Sequence, residues 1–250
     1  MGIQAWVRRA PLVSETVPES AQLPVPEPGF ESASLTPQSA RPAGRVPVVT
    51  GAAPTGRDVS QLGWPQLRSA VASCTACVLH ESRTQTVFGV GDPQAQWLII
   101  GEAPGSEEDK QGEPFVGHTS NLLNNMLQAL GLKREQVYIT NVLKCRPPDN
   151  RDPRPAELAQ CEGFLQRQVA LIQPKVILAM GRVAAHNLLK SKEPLGRMRG
   201  SLHRYKHHHG EVPVVVTYHP AYLLRTPRDK AKAWEDLRFA MKVVQGEVTL

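Results

Sequence analysis

The chain has few cysteines and lacks any long apolar segment. It contains four cysteines in 250 residues, and no apolar run is long enough to span a bilayer. The segment 1–9 includes Arg8 and Arg9 and lacks the apolar region of a secretory signal. We therefore expect a cytoplasmic protein with no membrane association. In a reducing compartment, four cysteines favour a metal site over disulfides.

Residues 1–60 lack any apolar period of a helix or strand and are rich in proline. Such a segment cannot bury enough apolar surface to offset its ordering entropy. We predict a disordered tail over 1–60, with a possible protein partner, and one folded domain over 62–248. The net charge of +6 suits a phosphate-rich partner or a solvated basic surface equally well.

Within the domain, short apolar runs alternate with helical patterns. Strands are predicted at 96–100, 137–140, 176–180 and 213–217. Helices are predicted at 64–71, 121–130, 157–172, 181–189 and 228–244, with a hairpin or loop over 197–212. Thr119 or Ser120 would cap the second helix. The alternation predicts an α/β fold, a three-layer αβα arrangement with a central four-stranded, mostly parallel sheet.

Polar residues follow three of these strands. Glu102 follows the first strand, Asn141 the second and His219 the fourth. Because ligands bind beyond the carboxyl ends of parallel strands, we expect these side chains to converge at one edge of the sheet. Glu102 is then either catalytic or a capping carboxylate, and Asn141 either reads an amide-like edge or caps a turn. Glu107 and Glu108 are expected to be solvated.

Two further features have both a functional and a structural interpretation. Phe115 lies in a Gly/Pro-rich segment, so it is either a stacking platform or a hydrophobic plug. Cys74 and Cys77 form a C-x-x-C pair, and 15 residues separate Cys145 from Cys161. This spacing suits zinc or an iron–sulfur cluster, and on spacing alone it favours zinc because zinc sites are commoner. Four free buried cysteines are the remaining alternative.

Several strings, taken together and in order, resemble the iron–sulfur, or family 4, uracil-DNA glycosylases of the uracil-DNA glycosylase superfamily. They are Gly-Glu-Ala-Pro-Gly (101–105), Gly-Glu-Pro-Phe-Val-Gly (112–117), Thr-Asn-Val-Leu-Lys-Cys-Arg-Pro-Pro (140–148), Asn-Arg-Asp-Pro (150–153) and His-Pro-Ala-Tyr-Leu-Leu-Arg (219–225). The resemblance covers about Cys74 to Val244. It departs at 117–120, where the family usually has Arg, Ala and Gly after the first glycine.

The resemblance implies a cofactor and a uracil pocket. The cofactor is a [4Fe–4S] cluster held by four cysteines, Cys74, Cys77, Cys145 and Cys161, which replaces the zinc interpretation. Uracil would stack on Phe115 and be read by Asn141, with backbone at Gly101, Glu102 and Ala103 contacting the base and His219 reaching its O2.

The resemblance also implies a reaction, the removal of uracil from DNA in base excision repair. The enzyme would flip uracil out and hydrolyse its N-glycosidic bond, leaving an abasic site. His219 would stabilise the uracil anion. Glu102 would act on the water and the cationic sugar, with Asp109 the next candidate for the water. No lysine stands out as an amine nucleophile, so we expect a monofunctional enzyme, and we expect a monomer.

Four residues are predicted to contact the uracil-containing DNA. Lys144, Arg146 and Arg225 would bind phosphates, and Leu224, or its neighbour Leu223, would act as a wedge.

Two alternative functions remain. One is a superfamily member that is trapped covalently on uracil-DNA, but such members carry a basic histidine-containing loop and segment 146–154 has no histidine. The other is a non-enzymatic nucleic-acid-binding domain with a structural metal, which predicts no convergence of the polar residues.

Overall fold

The structure is a computed structural model that describes residues 59–207 and 210–249. The predicted tail therefore lies almost wholly outside the described residues. Val59, at the end of that predicted tail, is described and is only 7% exposed. It belongs to an apolar cluster with Leu67 and Phe164. The packed chain thus begins by Val59, slightly before the predicted start at residue 62.

The described residues form one six-stranded sheet. Its strands are β1 (Val90–Gly91), β2 (Trp97–Gly101), β3 (Tyr138–Asn141), β4 (Val176–Met180), β5 (Leu202–His207) and β6 (Gly210–Thr217). The spatial order is β1-β3-β2-β4-β6-β5. The four inner strands are parallel, and β1 and β5 pair antiparallel at the two edges. The predicted four-stranded sheet is therefore the centre of a larger one.

Helices connect the strands. They are α1 (Trp64–Ala72), α2 (Ser106–Gln111), α3 (His118–Ala129), α4 (Pro155–Ile172), α5 (Arg182–Leu189), α6 (Leu195–Met198), α7 (Pro220–Arg225) and α8 (Lys230–Gln245). The five predicted helices correspond to α1, α3, α4, α5 and α8. None of the helices in the described ranges is long and apolar enough to cross a membrane.

The predicted cap of α3 is wrong. The helix begins at His118 and its N-cap is Gly117, which has a φ of 68°. The hydroxyl of Thr119 donates to the carbonyl of Val116 at 3.1 Å instead of capping the helix. A φ in this region favours glycine, so Gly117 supplies the turn into the helix without a side-chain cap.

Side chains on the inner strands alternate between the two faces of the sheet, as the pleat requires. Leu98 and Ile177 pack on one face with apolar residues of α4 and α5. Ile99 and Leu178 pack on the other face with apolar residues of α3 and α8. Both faces are therefore covered by helices, which gives the three-layer αβα arrangement that the sequence predicts.

Candidate active site and four-cysteine pocket

The carboxyl ends of the parallel strands open into a cleft of about 630 Å³. The structure brings four predicted site residues together in its walls, Glu102, Phe115, Asn141 and His219. Ala103 and Arg225 line the same cleft. The chain order of these residues is scattered, but β2, β3 and β6 run in one direction, so the residues that follow them meet at one edge of the sheet.

Gly101 lies against Asn141 and Phe115, two residues that line the cleft. It pairs with Asn141 across the β2–β3 ladder. A Cβ atom at this position would lie 2.4 Å from Oδ1 of Asn141 and 2.7 Å from Cζ of Phe115. Both distances are well below van der Waals contact, so only glycine lets the amide and the aromatic ring approach each other here.

The segment carrying Phe115 is fixed by hydrogen bonds from two directions. Glu108 accepts from the backbone N–H of Gly105 and from that of Val116, both at 3.1 Å. The guanidinium of Arg134 donates to the carbonyl of Pro114. Phe115 itself has a φ of 51°, which is unusual for a residue with a side chain. Glu108 is thus a structural bridge between two cleft segments, and the expectation that it is solvated is wrong.

His219 is held in one tautomer when its ring is neutral. Its Nδ1 accepts from the backbone N–H of Ala221 at 3.2 Å, so the ring proton lies on Nε2. Burial, together with the charge of Arg225, lowers the pKa of His219 to about 4. The ring stacks on Phe115 with a centroid distance of 5.2 Å. At neutral pH the site therefore presents an uncharged imidazole with one N–H donor.

Glu102 titrates above the usual range of a glutamate. Burial raises its pKa, the nearby charge of Asp152 raises it further, and the charge of Arg182 opposes both. Arg182 pairs with Asp152 at 2.5 Å, and both side chains are mostly exposed. This pair is not evident in the sequence because the two residues lie on separate segments, the loop before α4 and the start of α5.

Asp109 does not reach the cleft. It is 2% exposed, and its carboxylate accepts from the backbone N–H of Thr84 at 3.0 and 2.9 Å and from that of Gln85 at 3.5 Å. These bonds occupy the carboxylate and tie α2 to the segment after the C-x-x-C pair. Asp109 is therefore not a candidate for holding a water at the reaction centre.

The residues predicted to contact DNA lie in different environments. Leu224 is 43% exposed whereas Leu223 is 1% exposed, so only Leu224 is available as a wedge. Arg225 is exposed at the cleft, and Arg146 is partly exposed and donates to Oδ1 of Asn150 at 2.8 Å. Lys144 does not fit the prediction because it is 1% exposed. Its ammonium faces Thr140 and Asn141 inside the domain and cannot meet a phosphate on the surface.

The four cysteines line one pocket, with Arg83 and Lys144 beside them. Cys74 and Cys77 follow α1, Cys145 follows β3, and Cys161 lies in α4. Two N–H groups point at sulfur: Nη1 of Arg83 lies 3.0 Å from Sγ of Cys145, and the backbone nitrogen of Lys144 lies 3.3 Å from Sγ of Cys161. A set of four thiols with N–H donors to sulfur suits a metal centre bound through thiolates.

The side chains as they stand do not form a closed site for one ion. Within the described ranges, no group of three or more His, Cys, Asp or Glu residues has the geometry to hold a metal ion. Burial raises the pKa of the Cys161 thiol to about 12. This thiol would therefore stay protonated at neutral pH unless a cationic centre stabilised its thiolate form.

Comparisons with known proteins find a family model and several curated relatives. The sequence model of the Uracil DNA glycosylase superfamily matches residues 88–238. The chain is similar to the Type-4 uracil-DNA glycosylase of Archaeoglobus fulgidus, with 42% identity over 172 residues, 67% of this chain and 86% of that protein. It is also similar to the Type-4 uracil-DNA glycosylase of Thermotoga maritima, with 41% identity over 180 residues, 71% of this chain and 92% of that protein.

Proposed function

Since the chain belongs to the Type-4 uracil-DNA glycosylases of the uracil-DNA glycosylase superfamily, we propose that it excises uracil from DNA by hydrolysing the N-glycosidic bond. The product is an abasic site for base excision repair. One observation of the structure carries the proposal: Glu102, Phe115, Asn141 and His219 line a single cleft at the carboxyl edge of the sheet. A binding domain with a structural metal would need no such convergence.

The base is recognised by one aromatic face and one amide. Phe115 stacks on the flipped uracil, and the amide of Asn141 pairs with uracil O4 and N3–H. Backbone at Gly101, Glu102 and Ala103 contacts the base, which the absence of a side chain at Gly101 permits. Cytosine presents the opposite donor and acceptor at these two atoms, so it would leave buried polar groups unpaired and is rejected.

His219 stabilises the departing base. As the bond breaks, negative charge develops on uracil O2. The Nε2–H of neutral His219 donates to that oxygen and strengthens its bond as the charge grows. Because burial and Arg225 keep the pKa of His219 near 4, the ring remains a neutral donor at physiological pH. A donor of this kind contributes on the order of 3 kcal/mol to the transition state.

Glu102 acts on the sugar side of the bond. Its carboxylate positions or deprotonates the attacking water and stabilises the oxocarbenium character of the sugar. The described lining of the cleft includes no lysine, and the nearby Lys144 is engaged with backbone. With no amine placed to attack the sugar, the enzyme is monofunctional and does not cleave the strand.

DNA is held at the rim of the cleft. Leu224 fills the gap left by the flipped nucleotide, and Arg225 and Arg146 contact phosphates. Leu224 is exposed on α7, directly beside Arg225, which lines the cleft. The wedge and one phosphate contact therefore flank the base-binding site.

The four-cysteine pocket is proposed to hold a [4Fe–4S] cluster through Cys74, Cys77, Cys145 and Cys161. The four thiols share one pocket, and N–H groups of Arg83 and Lys144 are directed at two of the sulfurs, so this donor set would suit thiolate ligation of the cluster. The cluster is structural in this proposal and takes no part in hydrolysis.

The proposal is tested by incubating purified protein with an oligonucleotide that carries one uracil. We expect alkali-labile abasic sites at uracil, and none when thymine or cytosine replaces it. Asn141→Asp provides the matched control, because it keeps the shape of the side chain but removes the amide donor. The absence of abasic sites with the wild-type protein, or equal cleavage by Asn141→Asp, would contradict this function for the cleft.

A further inference from the structure

Lys144 is a buried cation with no role in the proposed reaction. Its side chain is 1% exposed. Ion pairs occur at other lysines and arginines of the described residues, but none of them pairs Lys144 with a carboxylate. A buried charge is costly unless an opposite charge and hydrogen bonds compensate it. The fold must therefore supply both in another way.

The hydrogen bonds are made to the end of β3. Nζ of Lys144 donates to Oγ1 of Thr140 and to the backbone carbonyl of Asn141, each at 2.7 Å. Thr140 is itself fixed, because its hydroxyl donates to the carbonyl of Phe88 at 2.9 Å. The ammonium thus holds the peptide group between Asn141 and Val142. It thereby restrains the direction in which the side-chain amide of Asn141 points.

The four-cysteine pocket lies beside the backbone of Lys144. The backbone nitrogen of Lys144 lies 3.3 Å from Sγ of Cys161, and its neighbour in the chain is Cys145. Lys144 also lines the four-cysteine pocket. When the four sulfurs bind a metal centre as thiolates, the pocket carries negative charge beside a lysine that has no carboxylate partner among the ion pairs of the described residues.

Two backbone hydrogen bonds join the residues after Asn141 to the loop that carries Glu102. The N–H of Val142 donates to the carbonyl of Gly101 at 3.0 Å, and the N–H of Leu143 donates to that of Glu102 at 3.1 Å. Segment 141–145 therefore joins the loop that carries Glu102 to the ligands of the pocket in a single run of chain.

We propose that Lys144 is a positioning residue that couples the metal centre to uracil recognition, with its ammonium holding the Asn141 carbonyl and the cysteine thiolates providing its countercharge. This inference rests on the proposed function and on the proposed cluster. It gives the cluster a defined effect on the base pocket without a part in hydrolysis. It also explains why a lysine that cannot reach DNA lies directly before a cluster cysteine.

Two substitutions distinguish the charge of Lys144 from its hydrogen-bond donor. Lys144→Met removes both the charge and the donor while keeping an unbranched chain. Lys144→Gln removes the charge but keeps an N–H donor, and it serves as a second variant where the methionine variant fails to fold. Arg83→Met is the matched control. It removes a cation that lines the same pocket and donates to Cys145, and none of the described side-chain hydrogen bonds joins Arg83 to Asn141.

Two measurements are made on iron-loaded protein, the midpoint potential of the cluster and the inhibition constant of free uracil in single-turnover cleavage. Removing a nearby positive charge disfavours the reduced cluster, so we expect the potential to fall in all three variants. Uracil should bind on the order of tenfold more weakly to Lys144→Met, corresponding to about 1.4 kcal/mol. It should bind within about twofold of wild type to Arg83→Met, where the loss corresponds to less than about 0.5 kcal/mol.

The coupling is overturned by an unchanged potential in the Lys144 variants, or by wild-type uracil affinity in Lys144→Met. It is equally overturned if Arg83→Met weakens uracil binding as much as Lys144→Met does. The weaker binding would then result from removing any cation near the cluster and not from losing the bond between Lys144 and Asn141. If wild-type protein does not cleave uracil-DNA at all, the proposed function fails. The potentials of the Lys144 variants still test the countercharge in that case.

Discussion

In the proposed uracil pocket, Asn141 can face the base because Gly101, its partner across the parallel ladder, has no side chain. The backbone of Gly101 does not adopt a positive φ, so alanine is conformationally allowed there. Its Cβ would nevertheless collide with both Asn141 and Phe115. We predict that Gly101→Ala lowers single-turnover uracil excision on the order of 100-fold, because a displaced recognition group costs about 3 kcal/mol at such a site.

The matched control for this change is Gly196→Ala. Nothing lies within 4 Å of a Cβ atom at Gly196, and its φ is not positive. We expect wild-type excision and stability from this variant. Wild-type excision by Gly101→Ala would instead show that uracil does not bind between Asn141 and Phe115.

The loss of activity at acid pH should follow the protonation of Glu102 and not that of His219. Burial and Asp152 raise the pKa of Glu102, so its active carboxylate form is lost as pH falls through that raised value. The pKa of His219 is lowered to about 4, so its neutral form survives across the same range. We predict that wild-type cleavage declines in weak acid, whereas the slower cleavage by Glu102→Gln stays flat down to about pH 4.

Variants of the neighbouring ion pair, Arg182 and Asp152, test the direction in which the acid limb moves. Removing the cation in Arg182→Met should move the acid limb to higher pH, and removing the anion in Asp152→Asn should move it to lower pH. The shifts should be small because both side chains are mostly exposed and screened by solvent. An acid limb that persists in Glu102→Gln would assign it to another group and leave Glu102 without a role as a base.

At the scale of elements, the sequence predicted the inner strands because their residues are apolar on both faces, as parallel strands covered by helices require. The edge strands gave no such signal. β1 has only two residues, and β5 alternates exposed Arg204 and Lys206 with buried Tyr205. An antiparallel edge strand of this kind resembles a polar hairpin arm, so residues 197–212 were expected only to form a hairpin or loop.

The sequence predicts those residues of the candidate site that directly follow a parallel strand. Glu102, Asn141 and His219 follow from that rule, because the direction of the strands decides where their ends meet. The rule does not give the direction of a side chain within a loop, which is why Lys144 was assigned to DNA although it points inward. Nor does it show which loops meet, as the pair of Asp152 and Arg182 illustrates.

The four cysteines come from three places in the fold, the segment after α1, the segment after β3, and α4. Cys161 lies in α4 and is 8% exposed. We predict that Cys161→Ala lowers the iron content and the melting temperature, although alanine favours the helix and should not weaken α4 locally. Iron analysis, visible absorbance and thermal unfolding of the gently purified protein measure these effects. Stoichiometric zinc without iron in wild-type protein from an iron-sufficient host would refute the cluster.

At the scale of the whole molecule, the boundary of the folded domain can be located to a few residues. Val59 packs in the cluster that includes Cys145 and Cys161, and the carbonyl of Leu62 accepts from Arg167 at 2.7 Å. We predict that deleting residues 1–58 leaves the melting temperature and uracil excision unchanged. Deleting residues 1–61 should lower the melting temperature by several degrees, because burying a valine contributes about 1.5–3 kcal/mol and each kcal/mol shifts a domain of this size by about 2–4 °C.

Val59→Ala in the full-length chain separates lost packing from lost chain length. It should cost about 1 kcal/mol in the free energy of unfolding, which is less than the longer deletion because the backbone and one methyl group remain. Gln61→Ala is a suitable control, since Gln61 is exposed close to Val59 and the change removes no apolar contact. A drop in melting temperature after deletion of residues 1–58 alone would mean that the proline-rich segment itself stabilises the domain. In that case, the boundary would have to be placed before Val59.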